Sequence, residues 1–296
     1  MAKTKRQSLA APFTITSGAR FRLRTIDPDS TDGVKGKAQG LSRLEERTAE
    51  IGELQEALYA VDRWSLLLIF QAMDAAGKDG AIKHVMSGVN PAGVQVFSFK
   101  APSSEELDHD FMWRTTRCLP ERGRIGIFNR SYYEEVLVVR VHPGLLSGQR
   151  LPEPALSDGI WTTRFESINA FESHLARNGY VIRKFFLHLS KAEQKRRFLA
   201  RLDTPEKNWK FSLGDVTERG KWDDYMAAYE EMIRNTATKD APWVVVPADH
   251  KWYARLIVAT ATADALRELN LRFPAATPER TRDLAEARAQ LLEERD

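Results

Sequence analysis

The feature that most constrains this chain is the run of apolar residues at positions 66–70, which ends in a short loop of small residues. An apolar run of this length, stopped by small residues, is typical of a buried parallel strand. The loop contains the dipeptide Gly77-Lys78, and the residues from Ala81 onward have helical spacing. Backbone N–H groups of such a turn and of the following helix N-terminus point at an anion, and a lysine adds positive charge. The pattern therefore predicts a phosphate site.

This loop differs at two positions from the common phosphate-loop pattern G-x-x-x-x-G-K-[ST]. Ala72 stands at the first glycine, and Asp79 stands where Ser or Thr would hold magnesium. Asp74 and Asp79 place two carboxylates beside the predicted phosphate site, which favours metal–phosphate chemistry. The alternative interpretation is an ordinary strand-to-helix turn in which Lys78 is merely solvated.

Composition and charge exclude several classes of protein. The 296 residues are 43% hydrophobic and 29% charged, as in ordinary soluble globular proteins. The net charge of +3 provides no overall basic field for nucleic acid. No apolar run approaches the ~20 residues of a membrane span, and the first residues lack the apolar core of a signal peptide. Because Cys118 is the only cysteine, we expect no disulfide and no thiolate zinc site. The lack of a membrane span and of a signal peptide leads us to expect no membrane partner and a cytoplasmic location.

Strand-like and helical segments alternate along the chain. After the first strand, the sequence predicts strands at residues 94–99, 125–128, 180–189 and 243–247. This alternation predicts an α/β fold, in which a parallel sheet of about five strands is sandwiched by helices. Ligands of such sheets bind at the carboxyl ends of the strands, so the loops after the first four strands are expected to surround one crevice.

The chain is expected to form a single domain over residues 27–272. Residues 1–26 are polar, basic and without hydrophobic period, so they are predicted to be a mobile N-terminal arm. Residues 273–296 are predicted to be a charged C-terminal tail. Residues 195–220 combine basic side chains with Trp209 and two glycines, and this composition predicts a helical lid that closes over phosphates. The alternative for this segment is a solvated helix face.

Three groups of residues are expected to meet in the crevice. The first is Asp74, Lys78 and Asp79, and the second is Asn129 and Arg130, directly after the third strand. An arginine that follows a buried strand requires an anionic partner, whereas Asn129 is equally well explained as a helix cap. The third group is the set of lid cations, Lys195, Arg196, Arg197, Arg201, Lys207 and Lys210. Phosphoryl transfer needs alignment, metal ions and cations that neutralise oxygens, and all three requirements have candidates here.

Several spaced motifs resemble the family-2 polyphosphate kinases and, within them, the third class. The motifs are residues 71–80, 87–91, 98–102, 106–110 and 127–143. The resemblance extends over residues 27–269 and implies a P-loop kinase fold that uses magnesium, with manganese as an alternative. It also implies transfer of the terminal phosphoryl group of inorganic polyphosphate to a nucleoside mono- or diphosphate, from AMP to ADP and from ADP to ATP.

The resemblance further implies roles for individual residues. Asp74 would bind metal and orient the acceptor phosphate, and Lys78 would hold the transferring or acceptor phosphate. Arg130 would stabilise developing charge, and Arg197 or Arg201 would act from the lid. The remaining residues expected to bind phosphate or nucleotide are Ala75, Ala76, Gly77, Asp79, Gly80, Lys83, Lys100, Asp110, Asn129 and Lys207.

The second metal ligand and the function class leave alternatives open. Asn129 stands where other classes of the family have Asp, so it would complete the metal site with Asp74, and Glu134 or Glu135 are alternatives. The chain could instead be an ATP-dependent small-molecule kinase of the same fold, but no hydroxyl follows Lys78 to hold the magnesium of ATP. It could also be a non-enzymatic polyanion-binding module. A homo-oligomer is expected from the final helical segment and from the resemblance.

Overall fold

Six strands form one sheet in the computed structural model, which describes residues 8–294 apart from the side chains at positions 207 and 210. The order across the sheet is β1-β6-β5-β2-β4-β3. All pairings are parallel except that between β1 and β6. The five predicted strands and the α/β class are confirmed, and one strand was not predicted. The strands are β1 (Thr14–Ile15), β2 (Ser65–Gln71), β3 (Val94–Ser98), β4 (Ile125–Asn129), β5 (Tyr180–His188) and β6 (Trp243–Pro247).

The central strand β2 explains why the apolar run of the sequence does not alternate. All seven of its residues are buried, because helices cover both faces of the sheet. Its register pairs Phe70 with Asn129 of β4 on one side and with Phe185 of β5 on the other. The loops that follow these strands therefore leave the sheet at the same edge.

Helices form a layer on each face of the sheet. One layer packs the apolar face of α1 and nearly all of α10 against the sheet, and the other is built mainly from α6 and α9. Helix α10 is buried on most of its surface because it lies between the sheet and α1, so its apolar residues are not confined to one side of the helix. The helices are α1 (Lys37–Val61), α2 (Lys78–Val85), α3 (Ser104–Leu107), α4 (Trp113–Thr116), α5 (Val138–Val141), α6 (Ile160–Arg177), α7 (Lys191–Leu202), α8 (Leu213–Gly220), α9 (Trp222–Thr236), α10 (Lys251–Glu268) and α11 (Pro278–Glu293).

The prediction of a mobile arm over residues 1–26 is wrong for the part that the structure describes. Residues 8–26 contain β1, which pairs with β6 and closes that edge of the sheet. Phe13, Phe21 and Leu23 are buried in the two core layers. The prediction failed because these anchors are too widely spaced to show a period, and each is buried by elements far away in the chain. Residues 1–7 lie outside the described residues.

The segment predicted to be a lid contains α7, a 3-10 helix at Pro205–Lys210 and α8. The segment that follows the domain contains α11, whose described residues are all exposed. Between residues 8 and 294, no helix combines the length and the apolar character that crossing a membrane requires.

A buried charged group fastens α6 to the sheet. The ammonium of Lys184 on β5 donates to Glu172 Oε2 (2.6 Å) on α6 and to Thr236 O (2.8 Å). The other carboxylate oxygen of Glu172 accepts from Tyr132 (2.8 Å) and Tyr133 (2.7 Å). Burial lowers the pKa of Lys184, and Glu172 opposes that shift. The ion pair is therefore fully hydrogen-bonded, which is the condition under which a buried pair is tolerated.

We expect Glu172→Ala to lower the free energy of unfolding by about 3–5 kcal/mol, because it leaves the buried Lys184 ammonium without its counter-charge. The matched control is Glu166→Ala, an exposed position on the same helix, which should change stability by less than about 0.5 kcal/mol. Urea unfolding followed by circular dichroism measures both. Equal stability of the two variants would contradict this account of the ion pair.

Candidate functional site

The loop between β2 and α2, which the sequence predicts to be a phosphate cradle, turns at two left-handed residues. Gly77, the N-cap of α2, has φ +102°, which favours glycine, and Ala75 has φ +63°. These two turns bring the chain back toward the sheet and set the N-terminus of α2 at the strand ends. Lys78 is the first residue of α2, and its Nζ donates to Ala72 O at 2.9 Å. The lysine thus closes the loop on itself at the place where an anion meets the helix N-terminus.

Arg197 lies beneath this loop and does not face the crevice. Its Nη1 donates to Ala75 O (3.0 Å) and Ala76 O (2.9 Å). Its Nη2 donates to Ala248 O (2.6 Å) and Asp249 O (3.0 Å) in the loop after β6, and its Nε donates to Glu193 (2.7 Å). All five guanidinium N–H groups are therefore committed to protein acceptors. These contacts make Arg197 a support of the loop, and the expectation that Arg197 or Arg201 acts from the lid stays a prediction.

Arg130 holds two carboxylates at the end of β4. Its Nη2 lies 3.2 Å from Asp74 Oδ1, and its Nη1 lies 3.0 Å from Glu134 Oε2. The carboxylate of Glu134 raises the pKa of Arg130, and Asp74 acts in the same direction. The residue also has φ +65° and donates its backbone N–H to Phe70 O (3.0 Å). This hydrogen bond ties the turn after β4 to β2, which places the guanidinium beside the phosphate loop.

Asn129 contacts the carboxylate at the position where the common pattern has Ser or Thr. Its amide Nδ2 donates to Asp79 Oδ1 at 2.7 Å and lies 3.4 Å from Ser98 Oγ. The end of β4 is thereby joined to the first turn of α2. In this arrangement the Asn129 amide orients Asp79, which presents a second carboxylate beside the loop in addition to Asp74.

The electrostatics of Lys78 differ from those of a surface lysine. Burial lowers its pKa to about 8, and the neighbouring positive charge of Arg130 contributes to the shift. Asp74 and Glu134 oppose the shift without cancelling it. Two cations therefore lie close together in a poorly solvated place, and an anion bound between them would stabilise both.

Two cavities meet at this cluster. The larger has a volume of about 640 Å³ and the smaller about 400 Å³, and both are lined by Met73, Asp74 and Arg130. The smaller is otherwise mainly apolar and aromatic, with Val138, Leu145, Tyr225 and Tyr229 in its walls. The predicted site residues that line the larger cavity are Asp74, Ala75, Ala76, Gly77, Lys78, Asp79, Gly80, Lys100, Asn129, Arg130 and Arg201.

Besides Arg197, three of the predicted site residues are placed elsewhere or cannot be described. Lys83 is exposed on α2 and lines neither cavity. Asp110 is also outside both cavities, and its carboxylate accepts from Met112 N at 2.9 Å, so it caps a turn. Spacing alone could not reveal this, because residues 103–119 have the spacing of one helix but fold as the two short helices α3 and α4. The side chain of Lys207 lies outside the described residues.

The sequence interpretation missed a contact from the lid to the smaller cavity. Glu218 of α8 accepts from Tyr225 Oη (2.6 Å) and lies 2.9 Å from His142 Nε2. All three residues line that cavity. His142 lies 76 positions before Glu218, and only the folding of α8 back toward α5 brings these two side chains together. No local pattern of residues indicates this contact.

The donor set at the cradle suits a hard divalent cation that is also bound by phosphates. Within residues 8–294, no group of three His, Cys, Asp or Glu side chains forms a metal site. Magnesium is usually bound through one or two carboxylates together with substrate phosphates and water. Asp74 and Asp79 supply that number of carboxylates at the cavity wall, so the residues present fit magnesium.

The comparison with protein families agrees with this geometry. The family model described as Polyphosphate kinase 2 (PPK2) matches residues 35–274, which is most of the chain. The chain belongs to the polyphosphate kinase 2 family.

Relatives and a solved structure of this family match nearly the whole chain. A Rhodopseudomonas palustris protein named ADP-polyphosphate phosphotransferase is 57% identical over 84% of this chain and 86% of its own. A Meiothermus ruber protein named AMP/ADP-polyphosphate phosphotransferase is 43% identical over 88% of this chain and 94% of its own. The crystal structure of polyphosphate kinase 2 from Arthrobacter aurescens TC1 superposes with a TM-score of 0.88, at 44% identity, over 97% of this chain and 98% of that one.

The lowered pKa of Lys78 predicts a pH dependence of anion binding. As the pH rises through about 8, the free ammonium loses its proton, whereas a bound phosphate favours the charged form. We therefore expect the affinity for tripolyphosphate without metal to fall above pH 8, by up to about tenfold per pH unit, with proton uptake on binding. Calorimetric titration in two buffers measures both effects. Lys78→Arg should remove the dependence and Lys83→Arg should retain it, so identical pH profiles of the two variants would contradict the assignment.

The contacts of Arg197 predict a positioning role. Lysine cannot join two loops as a planar guanidinium does, so Arg197→Lys should displace the phosphate loop. We expect kcat/KM to fall by about 10–100-fold, with a higher KM for the phosphate donor as well as a lower melting temperature. Arg196→Lys, at the neighbouring exposed position, is the control and should match the unmodified protein. A loss of stability in Arg197→Lys with unchanged KM and kcat would show that the contact serves folding alone.

Proposed function

We propose that this protein is a polyphosphate-dependent nucleotide kinase, which transfers the terminal phosphoryl group of inorganic polyphosphate to a nucleoside mono- or diphosphate. The observation that carries the proposal is that two cavities of different chemistry meet at Asp74 and Arg130. Membership of the polyphosphate kinase 2 family and the names of the relatives support the same assignment of donor and acceptor.

The larger cavity suits the polyphosphate chain. The phosphate cradle, Lys78, Lys100 and Arg201 all line it, and each added phosphate unit of the donor brings about one negative charge that these cations can neutralise. Trp209 of the lid segment lies at the same cavity. The donor's last phosphate would then lie at the cradle, between the N-terminus of α2 and Arg130.

The smaller cavity suits the nucleoside of the acceptor. It is lined by Tyr225, Tyr229 and aliphatic side chains, and aromatic and apolar walls of this kind bind a planar base. Asp74 and Arg130 line this cavity as well as the larger one. The acceptor phosphate would therefore point toward the donor's terminal phosphate, which is the alignment that in-line transfer requires.

The reaction then needs little proton chemistry. The attacking atom is an acceptor phosphate oxygen that is already ionised at neutral pH, so no general base is required. A new bond forms from this oxygen to the terminal phosphorus while the bond from that phosphorus to the bridging oxygen breaks. Arg130 and Lys78 stabilise the negative charge on the transferred group, and the shortened polyphosphate leaves with the released oxygen as an anion.

Magnesium would be held at the cradle by Asp74 and Asp79, with Asn129 orienting the second carboxylate through its 2.7 Å hydrogen bond. The ion, when bound, would neutralise phosphate oxygens of donor and acceptor. The initial expectation that Asn129 is itself a ligand stays a prediction, because a metal would be bound by its amide oxygen, whereas the hydrogen bond to Asp79 uses its amide nitrogen. Self-association of the chain stays a prediction.

The decisive assay mixes the protein with magnesium, long-chain polyphosphate and AMP, ADP or GDP, and measures the nucleotide products. We expect product with at least one acceptor and a loss of kcat of at least about a hundredfold in Asp74→Asn. The control Asp158→Asn, in the exposed loop before α6, should retain full activity. An inactive unmodified protein that still binds polyphosphate would make it a polyanion-binding module. Transfer from ATP in the absence of polyphosphate would make it an ordinary kinase.

The division of the two cavities makes a separate prediction. Leu145 is 50% exposed and lines the smaller cavity, so Leu145→Glu would place a carboxylate beside the acceptor nucleotide. We expect the KM for the nucleotide to rise about tenfold or more while the KM for polyphosphate stays unchanged. Leu156→Glu is the matched control, because Leu156 is 47% exposed and lines neither cavity. A rise in the KM for polyphosphate instead would reverse the assignment of the cavities.

A further inference from the structure

A third cavity of about 920 Å³ lies where the lid segment joins the domain, and it shares no lining residue with the two cavities of the proposed active site. Its walls include His188 at the end of β5, Ser190 and Lys191 at the start of α7, and Trp222 at the start of α9. The segment of α7 and α8 therefore begins and ends at this cavity.

His188 is a buried polar group at this cavity that the fold leaves without a hydrogen-bond partner. Its side chain lines the cavity, and the residue is only 9% exposed. Its Nδ1 is buried without a hydrogen bond, and across residues 8–294 its ring forms no hydrogen bond with another protein group. Burial lowers the pKa of His188 to about 4, so the ring is neutral at physiological pH and offers one donor and one acceptor. A buried polar ring left unsatisfied costs stability, which a ligand that pairs with it would recover.

The rest of the cavity wall determines which ligand chemistry would suit it. Leu23, Leu189, Trp222 and Met226 provide an apolar surface, which favours a ring of carbon or mixed atoms. The polar rim carries charges of both signs, but they differ in whether they are already paired.

The carboxylates of this rim form hydrogen bonds or ion pairs within the protein, whereas its cations form none with the described residues. Glu230 accepts from Leu23 N (2.8 Å), and Glu231 forms an ion pair with Arg140 (2.5 Å). The cationic side chains at the rim form no ion pair or hydrogen bond with any residue that the structure describes. They are Arg24, Lys191 and Arg234. The available charge is thus positive, and it favours an anionic group on the ligand.

From these observations we propose that the third cavity is a binding site for an aromatic or heteroaromatic anion, and that its occupancy changes turnover through the lid. The ring would pack on Trp222 and Met226 and pair with His188, while the anionic group would face Lys191 and its neighbouring cations. Such a ligand contacts both points at which the segment of α7 and α8 leaves the domain, so it would favour one position of that segment over others. This inference goes beyond the proposed phosphotransferase function.

The test uses the aromatic sulfonate 1-anilinonaphthalene-8-sulfonate as the probe, because its fluorescence reports binding directly. We expect one probe molecule to bind per chain. His188→Leu should weaken binding about tenfold, the effect of losing one hydrogen-bonding group. Ala227→Trp, at an exposed position in the cavity wall, should weaken it at least as much by filling the cavity. Ala60→Trp, at an exposed position on α1, is the control and should bind the probe unchanged.

Activity is then measured on the same proteins at saturating probe. We expect kcat or the KM for polyphosphate to change by at least about fivefold in the unmodified protein, with no change in Ala227→Trp. Equal probe binding by all variants, displacement of the probe by ADP or tripolyphosphate, or binding without any change in kinetics would overturn the proposal. An oligomer that Ala227→Trp dissociates, seen by analytical ultracentrifugation, would also overturn it, because the cavity would then be a subunit contact. Since the binding measurement does not depend on catalysis, it can fail or succeed independently of the proposed function.

Discussion

The arrangement of the site depends on the hydrogen bonds that the guanidinium of Arg197 donates. Its five N–H groups join the carbonyls of the phosphate loop to the carbonyls after β6 and to Glu193 on its own helix. Backbone carbonyls at the ends of parallel strands would otherwise be left unpaired near a charged cavity, at a cost in free energy. One side chain thus satisfies two loops at once and fixes α7, the first helix of the lid segment, against the cradle.

The net charge of the chain does not show that positive charge is concentrated at the larger cavity. The chain carries a net charge of only +3, yet Lys78, Lys100, Arg130 and Arg201 line one cavity. Two of these cations are close enough to affect one another, since Arg130 helps to lower the pKa of Lys78. Repulsion between neighbouring cations is unfavourable, and an oxyanion bound between them would relieve it, so the concentrated positive field favours phosphate groups at this place. Local concentration of charge is therefore what adapts a nearly neutral protein to a polyanion.

Much of this fold can be predicted from the local pattern of apolar residues, because a strand that is buried on both faces has a continuous apolar sequence. The prediction of β2, β4 and β6 rests on that property. The strand β1 was not predicted, because it is only two residues long and it pairs with Val244, near the other end of the domain. Lone anchors such as Phe13 carry no period, so no window of sequence can identify them.

Some of the site residues can likewise be predicted from their position after a strand, whereas the placement of others depends on how the helices pack. Asp74, Lys78 and Arg130 could be predicted because each lies in the segment that follows a recognisable strand, and the carboxyl ends of parallel strands converge. Arg197 and Arg201 lie one helical turn apart on α7, so spacing assigns both to the same face. Which of them reaches the cavity depends on where that helix packs along the loop. The structure places Arg201 at the cavity wall and Arg197 under the cradle.

The antiparallel pairing of Thr14 with Val244 has a consequence for how the chain is made. A nascent polypeptide exposes its N-terminal segment first, but the complementary edge emerges from the ribosome only after almost the entire domain has been translated. Contacts of such large sequence separation form slowly, so the first strand to be synthesised is among the last to find its place. Until then the outer edge of β6 remains unpaired, and nearly the whole domain must be translated before β1 can pair with that edge.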